Sequence, residues 1–149
     1  MIEPFDDSYF MKKAMQEAEA AFDSGEIPVG AVVVVDNRII ARAHNLTETL
    51  NDVTAHAEMQ AITAAANFLG GKYLTDCTLY VTLEPCQMCA GALYWSQISK
   101  IVFAAEDSTR GYRKNGVQLH PKTKVASGIL EEEASTLLKR FFIEKRNLN

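Results

Sequence analysis

Apolar residues recur at helical spacing near the start of the chain. Phe10, Met11, Ala14, Met15, Ala18, Ala21 and Phe22 share one face. Asp7 or Ser8 can cap this helix and Gly25 can end it, which predicts a helix to about Ser24. From Val29 to Val35 the chain is continuously apolar, the pattern of a strand buried on both faces. Asp36-Asn37-Arg38 reads as a tight turn, and Ile39 to Ala43 as the returning strand of a hairpin. Thr54 then offers a cap for an alanine-rich helix over about Ala55 to Leu69, closed by Gly70-Gly71. A strand follows at Thr78 to Leu83. Pro85 suits the first turn of a third helix that runs to about Ser96. Ile101 to Ala105 is the next strand. Residues 106–124, with Gly111 and Gly116, read as irregular. A last helix covers about Leu130 to Arg146, with Leu137, Leu138, Phe141 and Phe142 as its core contacts.

The alternation of strand and helix in the middle of the chain predicts helices on both faces of a sheet, a three-layer α/β/α sandwich. At 149 residues, 1–149 is expected to be a single domain with a core of its own. No apolar run reaches the ~18–20 residues of a membrane span. Asp6, Asp7, Lys12, Lys13 and Glu17 interrupt any apolar signal segment, so no membrane association is expected. Three cysteines is an odd number, which fits a reducing cytoplasm better than a disulfide framework. The net charge of −4 argues against generic nucleic-acid binding, but it is unevenly spread. Arg110, Arg113, Lys114, Lys122 and Lys124 lie in one short stretch, and Lys139, Arg140, Lys145 and Arg146 near the end. A local basic patch is compatible with the acidic total.

Two short motifs carry chemistry. One is His56-Ala57-Glu58 and the other is Pro85-Cys86-Gln87-Met88-Cys89, each at a predicted helix start. Cys86 and Cys89 are three apart, so they share a helical face and can grip one ion. The unpaired N–H groups and dipole of a helix N-terminus stabilise thiolates there. With His56 as third ligand, a tetrahedral zinc keeps one position open, the catalytic rather than the structural arrangement. Glu58 stands two residues from the histidine, where a carboxylate can take a proton from water and deliver it to a ring nitrogen and a departing amine. H-x-E paired with P-C-x-x-C matches the signature of zinc nucleobase deaminases. Cys77, by contrast, reads as a small buried hydrophobe.

The chain resembles the cytidine and deoxycytidylate deaminase superfamily, and within it the bacterial tRNA adenosine deaminases. The likeness rests on Glu26-Ile27-Pro28-Val29-Gly30-Ala31-Val32, on Asn45, and on Thr54-Ala55-His56-Ala57-Glu58. It continues through Tyr80-Val81-Thr82-Leu83-Glu84-Pro85-Cys86, Met88-Cys89-Ala90-Gly91-Ala92, Gly128-Ile129-Leu130 and Phe141-Phe142. The resemblance implies a central, mostly five-stranded mixed sheet, one zinc per chain on His56, Cys86 and Cys89, and Glu58 as proton shuttle. It implies that Asn45 hydrogen-bonds the substrate nucleoside and that Pro28 and Val29 line the base pocket beside the backbone of Ala57. Asp107 matches the position where the family contacts nucleic acid. A homodimer whose groove both subunits shape is implied as well.

The leading expectation is conversion of the wobble adenosine of a tRNA anticodon loop to inosine. Tyr94-Trp95 is more similar to bacterial guanine deaminases, so a deaminase of free guanine or a small nucleoside is the alternative. A third reading, a non-enzymatic zinc module, leaves Glu58 without a task. On the tRNA reading, Arg110, Arg113, Lys114, Lys145 and Arg146 are expected to hold phosphates.

Overall fold

The computed structural model describes residues 5–147. Its elements are helix α1 (Asp7–Asp23), strands β1 (Gly30–Val35) and β2 (Arg38–His44), helix α2 (Ala57–Leu69), strand β3 (Thr78–Leu83), helix α3 (Gln87–Ser96), strands β4 (Lys100–Ala105) and β5 (Lys124–Ser127), and helix α4 (Glu131–Asn147). The strands form one mixed sheet in the order β2-β1-β3-β4-β5. β1 is antiparallel to both β2 and β3, and β3, β4 and β5 run parallel.

Strand alternation sorts the core into two layers. Ala31 and Val33 of β1, Leu79 and Val81 of β3, and Ile101 and Phe103 of β4 face one way, onto Ala57, Ala61 and Ala65 of α2 and Ala90 and Leu93 of α3. Their neighbours Val32, Val34, Tyr80, Val102 and Ala104 face the other way, onto α1 and onto Ala134 and Leu137 of α4. Both faces of β1, β3 and β4 are therefore covered, which is why these strands read as unbroken apolar runs. Close packing of α1 needs Gly30. A side chain there would meet the backbone of Ala14 and Ala18.

The expected three-layer mixed sheet is present, with differences at element ends. Asp6, not Asp7 or Ser8, caps α1, accepting from the Tyr9 N–H at 2.8 Å. Asp7 is engaged elsewhere, taking a hydrogen bond from the Tyr80 hydroxyl at 2.7 Å. Asp36 and Asn37 both adopt positive φ, as a two-residue hairpin turn demands. Thr54 does not cap α2. The Asp52 carboxylate captures its N–H and hydroxyl, both at 2.8 Å, and the helix begins after His56. β5 lies in a stretch for which the apolar pattern predicts no strand. It is a four-residue edge strand with mostly exposed side chains, so it carries no hydrophobic period.

Candidate active site

The two motifs meet because both end loops at neighbouring helix N-termini. His56 is the N-cap residue of α2 and Cys86 that of α3, each in an extended conformation and neither capping with its side chain. Their side chains therefore project off the helix ends. The His56 Nδ1 lies 3.6 Å from the Sγ of Cys86 and 3.6 Å from the Sγ of Cys89. All three donor atoms lie within 4.8 Å of one another, and among the described residues no fourth His, Cys, Asp or Glu joins them.

This donor set fits zinc. Nitrogen at ~2.0–2.1 Å and sulfur at ~2.3 Å from a tetrahedral ion stand about 3.6 Å apart, which is the spacing found. The sulfurs are electrostatically prepared as well. Hydrogen bonding from the Cys89 thiol, and then from His56, outweighs burial and holds the Cys86 thiol down to about 4. The bond to Cys86, burial and the nearby Glu58 charge push Cys89 up in turn. The two thiols thus compete for one negative charge, and the hydrogen bond to Cys86, with the Cys86 and Glu58 charges, raises the His56 imidazolium against burial. A dication resolves this contest by taking both thiolates.

Glu58 lies in the first turn of α2 and is 4 % exposed. Burial drives its carboxyl up to about 7, with the Cys86 charge adding to the rise and backbone hydrogen bonding, His56 and Cys89 opposing it. A carboxyl that ionises near neutral pH can both take and give a proton.

A cavity of about 900 Å³ opens above this floor, within the usual range for small-molecule sites, ~300–1,000 Å³. His56, Ala57, Glu58 and Cys86 line it, together with Val29, Asn45 and Asp107. Six of the residues singled out in the sequence for metal, catalysis and substrate thus share one cavity with the backbone neighbour Ala57, while Cys89 sits buried behind Cys86. Pro28 is buried but does not line the cavity; Ile27 does. Asn45 is 5 % exposed, and its Oδ1 is buried without a hydrogen-bond partner among the described residues. Asp107 contributes to the wall while its Oδ1 accepts from the N–H groups of Thr109 and Arg110 at 3.1 and 2.9 Å.

The basic residues divide. Arg110 lines the cavity, as does Lys139 of α4 beside the partly exposed Phe142. Arg113 does not line it. Its guanidinium donates to Glu84 at 3.1 Å, lies 3.2 Å from Glu106 and covers the Phe103 ring at 4.9 Å. The expectation of a freely offered phosphate-binding cation is therefore revised at Arg113. Tyr94 and Trp95 stand at the far end of α3, exposed and outside the cavity lining, with His120 beside Tyr94. Cys77 is fully buried, as expected of a core residue.

Two buried carboxylates were assigned no task in the sequence. Glu26, fully buried, accepts from the N–H groups of Glu48 and Thr49 at 3.1 and 2.6 Å and from the Thr49 hydroxyl at 2.6 Å. It pins the loop after Asn45 that carries Thr47 to the cavity rim. Burial raises its carboxyl, but the Thr49 and Glu48 bonds together outweigh this and leave it below the ordinary value. Glu84 does the same for the loop after β4. The available signal was a lone charge wedged between apolar residues and proline, in Glu26-Ile27-Pro28 and Leu83-Glu84-Pro85. Such a charge is tolerated in a core only when fully paired.

A zinc triad at paired helix starts, with a buried glutamate facing a cavity, defines a zinc-dependent deaminase site. Residues 4–105 match the cytidine and deoxycytidylate deaminase zinc-binding region, and the chain belongs to that family. It is 47 % identical to the tRNA-specific adenosine deaminase of Bacillus subtilis (strain 168) over 146 residues, covering 94 % of this chain and 91 % of the relative. A solved tRNA A34 deaminase, from a study of A-to-I editing at the wobble position, matches with a TM-score of 0.83 and 42 % identity, over 88 % of this chain and 99 % of that one. The guanine deaminase of Bacillus subtilis matches with a TM-score of 0.65 and 41 % identity, over 74 % of this chain and 68 % of that one.

Proposed function

We propose that this chain, as one deaminase domain spanning 1–149, converts the wobble adenosine of a tRNA anticodon loop to inosine by zinc-dependent hydrolysis. The observation that carries the reading is the buried Glu58 carboxyl beside three zinc donors on the floor of a cavity sized for a nucleobase. The adenosine substrate follows from the tRNA-specific relatives, which match along nearly their whole length.

The reaction exchanges the C6 amino group of adenine for oxygen, consuming water and releasing ammonia. His56, Cys86 and Cys89 would hold the zinc ion, which when bound would supply Lewis-acid activation of water at neutral pH. Glu58 takes one proton from the attacking water and gives it to the ring nitrogen next to C6; it then takes the proton of the hydroxyl added at C6 and gives it to the amine, which leaves as ammonia as the C6–N bond breaks and the C6=O bond forms. Burial, which raises the Glu58 carboxyl above the ordinary value, favours its holding the proton between the two transfers. Asn45 positions the nucleoside; in support, its buried Oδ1 has no hydrogen-bond partner among the described residues and so offers an acceptor to a substrate donor. Val29 and the backbone of Ala57 form the wall against the base, with Pro28 packed behind. Asp107 shapes the turn at the mouth, where Arg110 and Lys139 meet phosphates. An anticodon loop presents bases already partly splayed, so little stacking is lost when one enters the cavity.

The working form is a homodimer in the cytoplasm. Support for the dimer is the exposed apolar surface at the ends of α2 and α3, where Trp95 is 76 % and Phe68 62 % exposed. Support for the compartment is the tRNA substrate and three cysteines free of disulfides. Among the described residues no helix is long and apolar enough to cross a membrane. Incubating the protein in parallel with a stem-loop carrying a wobble adenosine and with free guanine tests the reading. Inosine and ammonia should form from the stem-loop. Efficient turnover of guanine, with the stem-loop bound no better than a scrambled RNA, would move the substrate to the free base.

A further inference from the structure

The segment from Asp107 to Arg113 crosses directly over the metal motif. Gly111 forms an isolated bridge with Cys86, and the Tyr112 N–H donates to the Pro85 carbonyl at 2.9 Å. One side chain holds both ends of the segment. Glu84, 3 % exposed, accepts through Oε1 from the Asp107 N–H and through Oε2 from the Arg113 N–H, both at 3.1 Å. Its Oε1 also accepts from the Arg113 guanidinium at 3.1 Å, and Glu106 lies 3.2 Å from the same guanidinium nitrogen. At Gly111 any side chain would run into the Glu84 carboxylate and the Asp107 carbonyl, so the segment lies tight against its anchor.

Burial alone does not call for this arrangement. Tyr112, 6 % exposed and packed edge-on to Phe103, already ties the segment to the core. An ion pair between buried Glu84 and half-exposed Arg113 contributes little net stability beyond such packing, while the Glu84 hydrogen bonds to the Asp107 and Arg113 N–H groups fix where the backbone of the segment lies. What they orient is Asp107, Ser108, Thr109 and Arg110, four consecutive residues of the cavity wall.

We infer that Glu84 and Arg113 are positioning residues that set the Asp107–Arg110 turn at the cavity mouth, and so govern how the substrate is seated rather than the proton transfers. The inference rests on the cavity being the nucleotide site. Arg113 acts through Glu84 and not by touching phosphate: one guanidinium nitrogen bridges Glu84 and Glu106 while the guanidinium plane covers Phe103, a placement that a point-charge ammonium does not reproduce.

Two experiments test this on the zinc-loaded protein. In the first, Arg113→Lys and Arg113→Gln are compared with wild type on the anticodon stem-loop. Both should raise KM roughly tenfold, with kcat within about threefold, as expected of a displaced binding wall. The salt dependence of RNA binding should keep its wild-type slope in both. If Arg113→Lys matches wild type while Arg113→Gln weakens binding and flattens the slope by ~0.7, Arg113 is a phosphate contact and the inference fails. In the second, hydrogen exchange is followed in Glu84→Gln. The Asp107 and Arg113 amides should exchange at least about tenfold faster, a local opening, while the amides of β3 and β4 and the zinc content stay as in wild type. Unchanged exchange at those two amides would remove Glu84 as the anchor. The exchange measurement needs no substrate. If wild type leaves the stem-loop unreacted, the tRNA reading falls by itself, and the KM comparison is judged on the purine that wild type does turn over.

Discussion

The floor of the cavity and its rim are built on different principles. On the floor, His56, Glu58, Cys86 and Cys89 come from two motifs of three and five residues, and each motif sits at a helix start. Neighbours along the chain are neighbours in the site. On the rim, two loops are held by carboxylates 22 to 29 residues away, Glu26 for the loop after β2 and Glu84 for the loop after β4. The floor therefore depends on side-chain identity at fixed spacing, and the rim on buried charges gripping the backbone of distant segments. On the proposed function, chemistry belongs to the first and substrate fit to the second.

Four changes sharpen that contrast, in falling order of effect. Cys86→Ala should lose zinc and reduce activity to background, because two remaining donors do not hold a catalytic ion. Metal analysis of the purified variant checks this, and full occupancy would free Cys86 from the ligand set. Asn45→Ala should keep zinc and fold but lower kcat/KM by roughly 10–10²-fold, the scale of one buried hydrogen bond to substrate. Steady-state kinetics with near wild-type values would leave Asn45 outside the substrate site.

Glu26→Gln should lower Tm by roughly 3–8 °C, since an amide nitrogen then faces backbone donors. Its pH dependence is specific. The folded carboxyl lies below the ordinary value of 4.5, so the advantage of wild type over Glu26→Gln is complete above the unfolded carboxyl, near ~4.3. It shrinks as pH falls through the lower folded value. Melting curves of both proteins from neutral to acid pH would show a constant gap if Glu26 were not ionised. The smallest change is at the mouth. Lys139→Gln should weaken RNA binding less than tenfold and reduce its salt slope by ~0.7; an unaltered slope would place Lys139 off the phosphate path.

The same contrast explains what could be read in the sequence. Strands covered on both faces appear as apolar runs, so β1, β3 and β4 were legible, and the zinc ligands were legible as spacing. β5 was not, because an exposed four-residue edge strand takes its register from β4 by backbone hydrogen bonds and leaves no apolar period. Thr54 misled because Asp52 competes for its hydroxyl, which moves the start of α2 to Ala57. Arg113 looked like an available cation until the fold brought Glu84 and Glu106 to it from other parts of the chain. Asn45 was marked by family resemblance, and only the fold exposes its unpartnered oxygen.

In the proposed reaction Glu58 performs proton transfer on a floor whose binding functions lie elsewhere. Single-turnover deamination of a wobble-adenosine stem-loop at saturating Glu58→Gln protein tests it most directly, with zinc content and RNA affinity measured on the same sample. The rate should fall by roughly 10²-fold or more, the scale of removing a general acid–base group, with one zinc per chain and wild-type affinity retained. A rate within threefold of wild type, or an affinity lost in step with the rate, would take proton transfer away from Glu58.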